Sequence, residues 1–123
     1  MSAGSGGSGA ARTALSTALA QVGDPYVWGA AGPDSFDCSG LMQYAYAAAG
    51  VSLPHSSSMQ SRMGTAVSTS AMAPGDLLFY YSPVSHVAMY IGGGKMVHAR
   101  TFGQPVAVTS VDLGGYAGAR RVV

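Results

Sequence analysis

The sequence predicts a single α+β domain, with helices early in the chain and an antiparallel sheet later. Up to Gly50, apolar residues recur at helical spacing, whereas from Leu77 onwards aromatic and β-branched runs alternate with glycine-rich turns. The 123 residues, of which 48% are hydrophobic, suit one domain with one core. We therefore expect helices packed against one sheet.

Residues 1–9 consist mostly of glycine and serine. Such a tract has no apolar surface to bury and is typical of a flexible linker or a cloning remnant. The predicted domain is therefore residues 10–123.

The first predicted element is a helix from Ala10 to Val22. Leu15, Leu19 and Val22 are spaced to share one face, and Gly23 is typical of a helix end. The Asp-Pro pair that follows breaks the helix, because proline has no N–H to donate. We expect the leucine face to pack on the core.

The chain's one cysteine lies at the start of the second predicted helix. Ser35 and Asp37 carry side-chain oxygens that can cap a helix, and the helical pattern continues over residues 41–49. Cys38 therefore falls in the first turn, where backbone N–H groups and the helix dipole favour a thiolate. We expect the pKa of this thiol to be lowered.

The remaining predicted elements are one short helix and five strands. Ser56 or Ser57 could cap the helix, which ends at Gly64. A turn at residues 73–76 precedes the first strand, which is apolar enough to be buried on both faces. The strands are predicted at Leu77–Tyr81, Ser85–Ile91, Lys95–Ala99, Val106–Val111 and Ala119–Val123.

Three consecutive glycines, at residues 92–94, predict a β-hairpin between the second and third of these strands. A loop of three or five residues centred on Gly93 would pair His98 with Ala88 and leave His86 one diagonal step away. Both imidazoles would then share one face. A regular hairpin with a two-residue turn would not give this pairing.

These residues are the types needed for nucleophilic catalysis by a thiol. Such a nucleophile needs a base, and the base needs a partner that fixes its tautomer. His86 is the expected base for Cys38, and His98 is the expected orienting partner. Two other uses stay open: a buried structural cysteine, and an open metal site formed by these three residues. No CxxC or HxxxH spacing is present, so no metal is predicted.

Charge and hydropathy exclude several other classes of function. A net charge of +1 gives no electrostatic footprint for nucleic acid, and no apolar run approaches the roughly 20 residues that cross a bilayer. One cysteine cannot form an internal disulfide. We expect a monomer that neither binds nucleic acid nor inserts into a membrane.

Five short motifs follow one another in a recognisable order: Tyr26–Gly29, Phe36–Leu41, Pro74–Leu77, Ser85–Gly92 and Val97–Ala99. This series resembles the NlpC-type cysteine peptidases, papain-like bacterial enzymes that cut the stem peptides of peptidoglycan. The ending over residues 116–122 is similar to actinobacterial members.

The resemblance implies a papain-like α+β fold and a cysteine peptidase with Cys38 as nucleophile, His86 as general base and acid, and His98 as third residue. It further implies that residues around the thiol line the substrate cleft: Tyr26, Asp37, Ser39, Ser57 and Ser85. The implied reaction hydrolyses the bond between γ-D-glutamate and meso-diaminopimelate without a cofactor. One departure is His55, which stands where relatives often have arginine.

The same resemblance implies a catalytic module that works outside the cytoplasm, in the cell wall or as a secreted enzyme. Two alternatives come from other classes. A related thiol amidase, acyltransferase or effector peptidase would act on another substrate through Cys38, and a wall-binding module would bind wall fragments without cleaving them.

Overall fold

The structure is a computed structural model that describes residues 9–123. Within this range the α-helices are α1 (Gly9–Leu19), α2 (Cys38–Ala47) and α3 (Ser57–Gln60), and a short 3-10 helix covers Thr69–Ala71. The strands are β1 (Thr65–Val67), β2 (Leu77–Tyr80), β3 (His86–Gly92), β4 (Lys95–His98), β5 (Ala107–Ser110) and β6 (Tyr116–Arg121). The predicted α+β class is confirmed. The linker predicted at residues 1–9 lies outside the described residues except for Gly9, where α1 begins.

The six strands form one antiparallel sheet in the order β1-β6-β2-β3-β4-β5. Helix α2 packs against one face and α1 packs on α2, and apolar side chains of both helices join the main core with Phe79, Val87, Met89 and Val97. We call this the helical face. The opposite face, here the open face, carries a second apolar cluster of Leu78, Tyr80, Ala88, Met96 and Ala119. Strand β2 is buried on both faces, as predicted.

Helix α1 follows the predicted face only in part. Leu15 is partly buried against the main core, as expected, whereas Leu19 is 36% exposed and Val22 is 47% exposed. The fully buried residues of the helix are alanines, at positions 11, 14 and 18. The alanines allow close packing, as shown by Ala11, whose Cβ lies only 2.9 Å from the position that a Cβ on Gly75 would occupy. The helix also ends three residues earlier than predicted, at Leu19.

The sheet edges differ most from the prediction. Strand β1 was not predicted, and two of its three residues are exposed, so it lacks the alternating apolar signal on which strand prediction depends. It is held by pairing with β6. Strand β6 itself starts at Tyr116 rather than Ala119, and β5 is one residue shorter at each end than predicted.

The start of α2 is fixed by a cap and by a close backbone approach. Asp37 is the N-cap, as predicted, and its Oδ1 accepts a hydrogen bond from the Gly40 N–H at 2.7 Å. A Cβ on Gly40 would lie 2.0 Å from the carbonyl oxygen of Ala30. That carbonyl in turn accepts a hydrogen bond from the Asp37 N–H at 2.8 Å. The loop before α2 therefore packs directly on its first turn.

Gly40→Ala is expected to lower the free energy of unfolding by about 2 kcal/mol, because backbone atoms must move to make room for the methyl group. This cost exceeds the gain of about 1 kcal/mol that alanine brings to a helix interior. Chemical denaturation measures the change. Gly9→Ala is the control, since Gly9 also lies in a helix and its Cβ would approach nothing closer than 4.0 Å. Equal stability of the Gly40→Ala and wild-type proteins would contradict the close packing.

Candidate active site

Cys38 is the first residue of α2, and its sulfur faces the beginning of β3. The Sγ atom lies 4.0 Å from the carbonyl oxygen of Ser85. The backbone N–H groups of Val87 and Ser39 are directed at the sulfur. Since Ser85 and Val87 flank His86 in the chain, these contacts place the thiol beside the backbone of that histidine.

The predicted lowering of the Cys38 pKa is wrong. Burial raises the pKa of this thiol, and the negative charge of Asp37 raises it further, against the backbone N–H groups that lower it. A helix start favours the thiolate, but here the loss of water outweighs that effect. The thiol is therefore protonated at neutral pH, and it would need a base to act as a nucleophile.

The hairpin brings His86 and His98 together, although its turn is not the predicted one. Gly92 pairs with Lys95, so the turn has two residues. A bulge between Tyr90 and Gly92 shifts the register by one residue, which returns the two histidines to the same face of the sheet. One step beyond the Met89–Val97 pair, His98 stands opposite Ala88. His86 Nε2 lies 2.9 Å from His98 Nδ1, as expected for the diagonal arrangement.

Sequence reasoning missed one residue of this group, Thr109 on β5. The register places Thr109 opposite Met96, and its Oγ1 lies 3.0 Å from His98 Nε2. A continuous row of hydrogen bonds thus runs from His86 through His98 to Thr109. The β4–β5 register brings Thr109 into place, and no local sequence signal announces it.

Both histidines are held neutral. Burial lowers the pKa of His86 to about 4, and repulsion from the protonated form of His98 and from the Arg100 cation adds to the effect. Burial and Arg100 likewise lower the pKa of His98 to about 4. A neutral imidazole can accept the proton of the thiol, whereas an imidazolium cannot.

These shifts give a stability that depends on pH in a defined direction. In the unfolded chain each histidine takes up a proton near pH 6.5, whereas in the folded protein it does so only near pH 4. The contribution of the neutral histidines to the free energy of unfolding is therefore complete above pH 6.5 and is lost as the pH falls to about 4. For one buried histidine such a shift is worth on the order of 3 kcal/mol. Urea denaturation between pH 7.5 and 4.5 is expected to show this loss.

His98→Gln is the matched comparison, because glutamine keeps hydrogen-bonding capacity but does not titrate. The variant is expected to lose a smaller part of its stability over the same pH interval. An identical pH dependence in the wild-type protein and the variant would contradict the neutral state of His98.

Asp37 is the centre of a second group of polar contacts. Besides capping α2, it accepts a hydrogen bond through Oδ2 from the Gly29 N–H at 2.9 Å. The Nε2 atom of His55 lies 2.8 Å from Asp37 Oδ1, so this histidine faces the carboxylate. Tyr26 lies close to Cys38 and Asp37: burial raises its pKa, and the ionised form of the Cys38 thiol and the Asp37 carboxylate raise it further. Tyr26 and Asp37 therefore lie beside the Cys38 thiol.

The three predicted serines occupy different surroundings. Ser39 is 6% exposed, and its hydroxyl is 3.5 Å from Asp37 Oδ1. Ser85 presents its carbonyl to Cys38. Ser57 begins α3, and no hydrogen bond within the described residues joins its side chain to the thiol or the histidines. The buried Gln60 side chain ties α3 to α2 by donating to the Ser39 carbonyl at 3.0 Å.

No cluster suited to a metal ion occurs in the described part of the chain. Within residues 9–123, no three His, Cys, Asp or Glu side chains lie close enough together to hold one metal ion. Cys38, His86 and His98 therefore do not form the open three-ligand site considered above.

Comparison with known proteins decides the family. The model of the NlpC/P60 family matches residues 23–121, which include the thiol, both histidines and Thr109. The chain belongs to the NlpC/P60 family. It is 50% identical over 110 residues to a probable endopeptidase of Mycobacterium tuberculosis, covering 89% of this chain and 29% of that protein. It is 41% identical over 98 residues to a probable endopeptidase of Corynebacterium glutamicum, covering 80% of this chain and 47% of that protein.

Solved structures of this NlpC/P60 family have the same fold. A family member from Bacillus cereus superposes with a TM-score of 0.87 at 36% identity, covering 91% of this chain and 40% of that one. The peptidoglycan hydrolase RipB of Mycobacterium tuberculosis gives a TM-score of 0.86 at 33% identity, covering 93% and 65%. The papain-like NlpC-type fold is thereby confirmed. The chain spans less than half the length of the two probable endopeptidases from Mycobacterium tuberculosis and Corynebacterium glutamicum.

Proposed function

We propose that residues 10–123 form the catalytic domain of a peptidoglycan D,L-endopeptidase, a cysteine peptidase that hydrolyses the bond between γ-D-glutamate and meso-diaminopimelate. The observation that carries the proposal is the thiol of Cys38, at the start of α2, beside a strand that holds the hydrogen-bonded pair of His86 and His98. Relatives named as endopeptidases and the peptidoglycan hydrolase RipB support the substrate class.

The first half of the proposed reaction is attack by Cys38. Nε2 of His86 is engaged with His98, so Nδ1 is the nitrogen that accepts the thiol proton as the sulfur attacks the γ-carbonyl carbon. The N–H groups at the start of α2 favour negative charge that develops there. His86 then donates its proton to the leaving amine of diaminopimelate, which leaves a thioester on Cys38.

The second half is hydrolysis of this thioester. His86 removes a proton from water, which attacks the acyl carbon, and returns that proton to the sulfur as the C–S bond breaks. Tyr26, Asp37 and Ser39 lie on the side of the acyl group, with Ser57 and Ser85 at its border. No step requires a metal or cofactor.

The cellular setting follows from the substrate. Peptidoglycan lies outside the cytoplasm, so we place the enzyme in the cell wall or among secreted proteins. The described residues include no helix long and apolar enough to cross a membrane. The working unit is proposed to be a monomer that binds stem peptides and no nucleic acid, because its site is built from one chain.

Digestion of purified muropeptides tests the function. The expected product carries a new amino terminus on diaminopimelate, detectable by amine labelling and mass spectrometry. Muropeptides that stay intact, in a preparation cleaved by a control endopeptidase, would refute the proposal. Binding of wall fragments without cleavage would instead support a wall-binding module.

Thr109 is proposed to be a positioning residue that fixes the tautomers of both histidines. For Nδ1 of His86 to accept a proton, its Nε2 must carry hydrogen and donate to His98 Nδ1. His98 must then carry hydrogen on Nε2 and donate to the Thr109 hydroxyl. Thr109 therefore selects the tautomer that the base needs.

Thr109→Val is expected to reduce kcat/KM about tenfold, because a buried N–H without an acceptor costs on the order of 1–3 kcal/mol. Thr109→Ser restores the hydroxyl and is expected to restore activity. The pH dependence of kcat/KM separates positioning from simple structural damage, since only a change at the histidines moves its acid limb. Equal activity and an equal acid limb in the valine variant would contradict this role.

A further inference from the structure

A cavity of about 410 Å³ lies against His86 and His98, and Cys38 is not among the residues that line it. Buried Tyr80 and Met96 contribute to its lining, and both belong to the open face of the sheet. Ser85 and His86 border the cavity and also lie beside the sulfur. The cavity therefore lies on the open face of the sheet, on the side of the His86 imidazole that points away from α2.

The cavity contains one cationic and one anionic side chain. Arg100, which follows β4, is exposed and forms no ion pair or hydrogen bond with any residue in the range 9–123. It is close enough to lower the pKa of both histidines. Asp112, which follows β5, accepts a hydrogen bond from the Gly114 N–H through Oδ1 at 2.9 Å, and it makes no ion pair with the described part of the chain. Both charges are available to a ligand.

The proposed reaction determines which part of the substrate comes here. His86 must protonate the leaving amine, so the residue that leaves lies next to His86. If that residue is meso-diaminopimelate, its side chain is a short run of methylenes ending in a carbon with one ammonium and one carboxylate. Lysine has a similar run of methylenes and an ammonium but no carboxylate. The two differ only by the group that an arginine recognises.

We infer that this cavity binds the side chain of the leaving diamino acid, with Arg100 taking its carboxylate and Asp112 its ammonium. Tyr80, Tyr81 and Met96 offer the methylenes an apolar wall. Arg100 thereby selects diaminopimelate over lysine. This inference rests on the proposed endopeptidase function and adds the origin of its diamino-acid preference.

Two synthetic tetrapeptides, L-Ala-γ-D-Glu-X-D-Ala with X as meso-diaminopimelate or L-lysine, test the inference. The wild-type protein is expected to have a kcat/KM about fivefold higher for the diaminopimelate peptide, the size of effect expected for an exposed ion pair. Arg100→Met is expected to bring the ratio of the two values close to one. Arg62→Met removes an exposed arginine outside the cavity and is expected to keep the wild-type ratio.

Asp112→Asn provides a second and different signature. Asparagine keeps an oxygen for the Gly114 N–H but loses the charge, so kcat/KM is expected to fall for both peptides while their ratio stays the same. A wild-type ratio of one, or an unchanged ratio in Arg100→Met, would overturn the inference while cleavage itself still supports the endopeptidase. Failure to cleave either peptide would overturn both.

Discussion

Replacing Cys38 with alanine is expected to abolish hydrolysis of stem peptides, with kcat/KM reduced by more than about 10⁴-fold. The proposed reaction forms a covalent bond to this sulfur, and no other cysteine exists in the chain to replace it. The side chain is partly buried at the edge of the main core and not at its centre, so removing the sulfur creates only a small cavity. The measurement is product formation from a defined peptide, with the unfolding midpoint determined in parallel.

Cys38→Ser is the closer control, since it changes one atom and retains a hydroxyl. Its unfolding midpoint is expected to match that of the wild-type protein within a few degrees, while activity is lost because an alcohol is a far weaker nucleophile than a thiol. A loss of folding in both variants would instead indicate that Cys38 is structural. Residual cleavage by the alanine variant at more than a small fraction of the wild-type rate would place the nucleophile elsewhere.

His86→Gln is expected to reduce kcat/KM by about 10²- to 10⁴-fold, the usual range for loss of a general acid–base group. The effect is large because burial raises the pKa of the Cys38 thiol, so little thiolate is present without a base. Alkylation of Cys38 by iodoacetamide provides a second measurement. Its rate at neutral pH is expected to fall in the variant together with the rate of hydrolysis.

The matched control for this substitution is His55→Gln. His55 contacts Asp37 rather than the other histidines, and a glutamine can still donate to that carboxylate. Its effect on activity is expected to be much smaller than that of His86→Gln. Equal losses from the two substitutions would contradict the assignment of the base to His86.

The start of α2 could be predicted from sequence because its signals are local. Asp37 is a capping residue directly before a helical pattern, and Gly40 follows within the first turn. The close approach of Ala30 to that glycine could not be foreseen, since it depends on how the preceding loop folds back. Burial was also missed, which is why the expected direction of the Cys38 pKa was wrong.

The histidine pair shows how a correct prediction can rest on an incorrect detail. The parity of the hairpin was right, but it results from a two-residue turn combined with a bulge at Ile91 rather than from an odd loop. The run of three glycines does not by itself specify this bulge. Thr109 is harder still to predict from sequence, because only the register between β4 and β5 brings it to His98.

The first helix illustrates a different difficulty. Hydrophobicity alone favoured Leu19 and Val22 as core residues, whereas the structure buries Ala14 and Ala18 completely. Helices that approach closely need small residues at the contact. How closely α1 approaches α2 depends on the surface of α2, so the sequence of α1 alone does not reveal it. The fold class was predictable, but the fully buried face of α1 was not.

The most direct test of the central claim is mass spectrometry of the products formed from L-Ala-γ-D-Glu-meso-diaminopimelyl-D-Ala. If Cys38 cleaves the proposed bond, the wild-type protein gives L-Ala-γ-D-Glu and diaminopimelyl-D-Ala, and the Cys38→Ser variant gives neither. An intact peptide, with Cys38 still open to alkylation and an active control enzyme, would contradict the account and favour a thiol enzyme with another substrate. Cleavage that persists in the Cys38→Ser variant would contradict it as well.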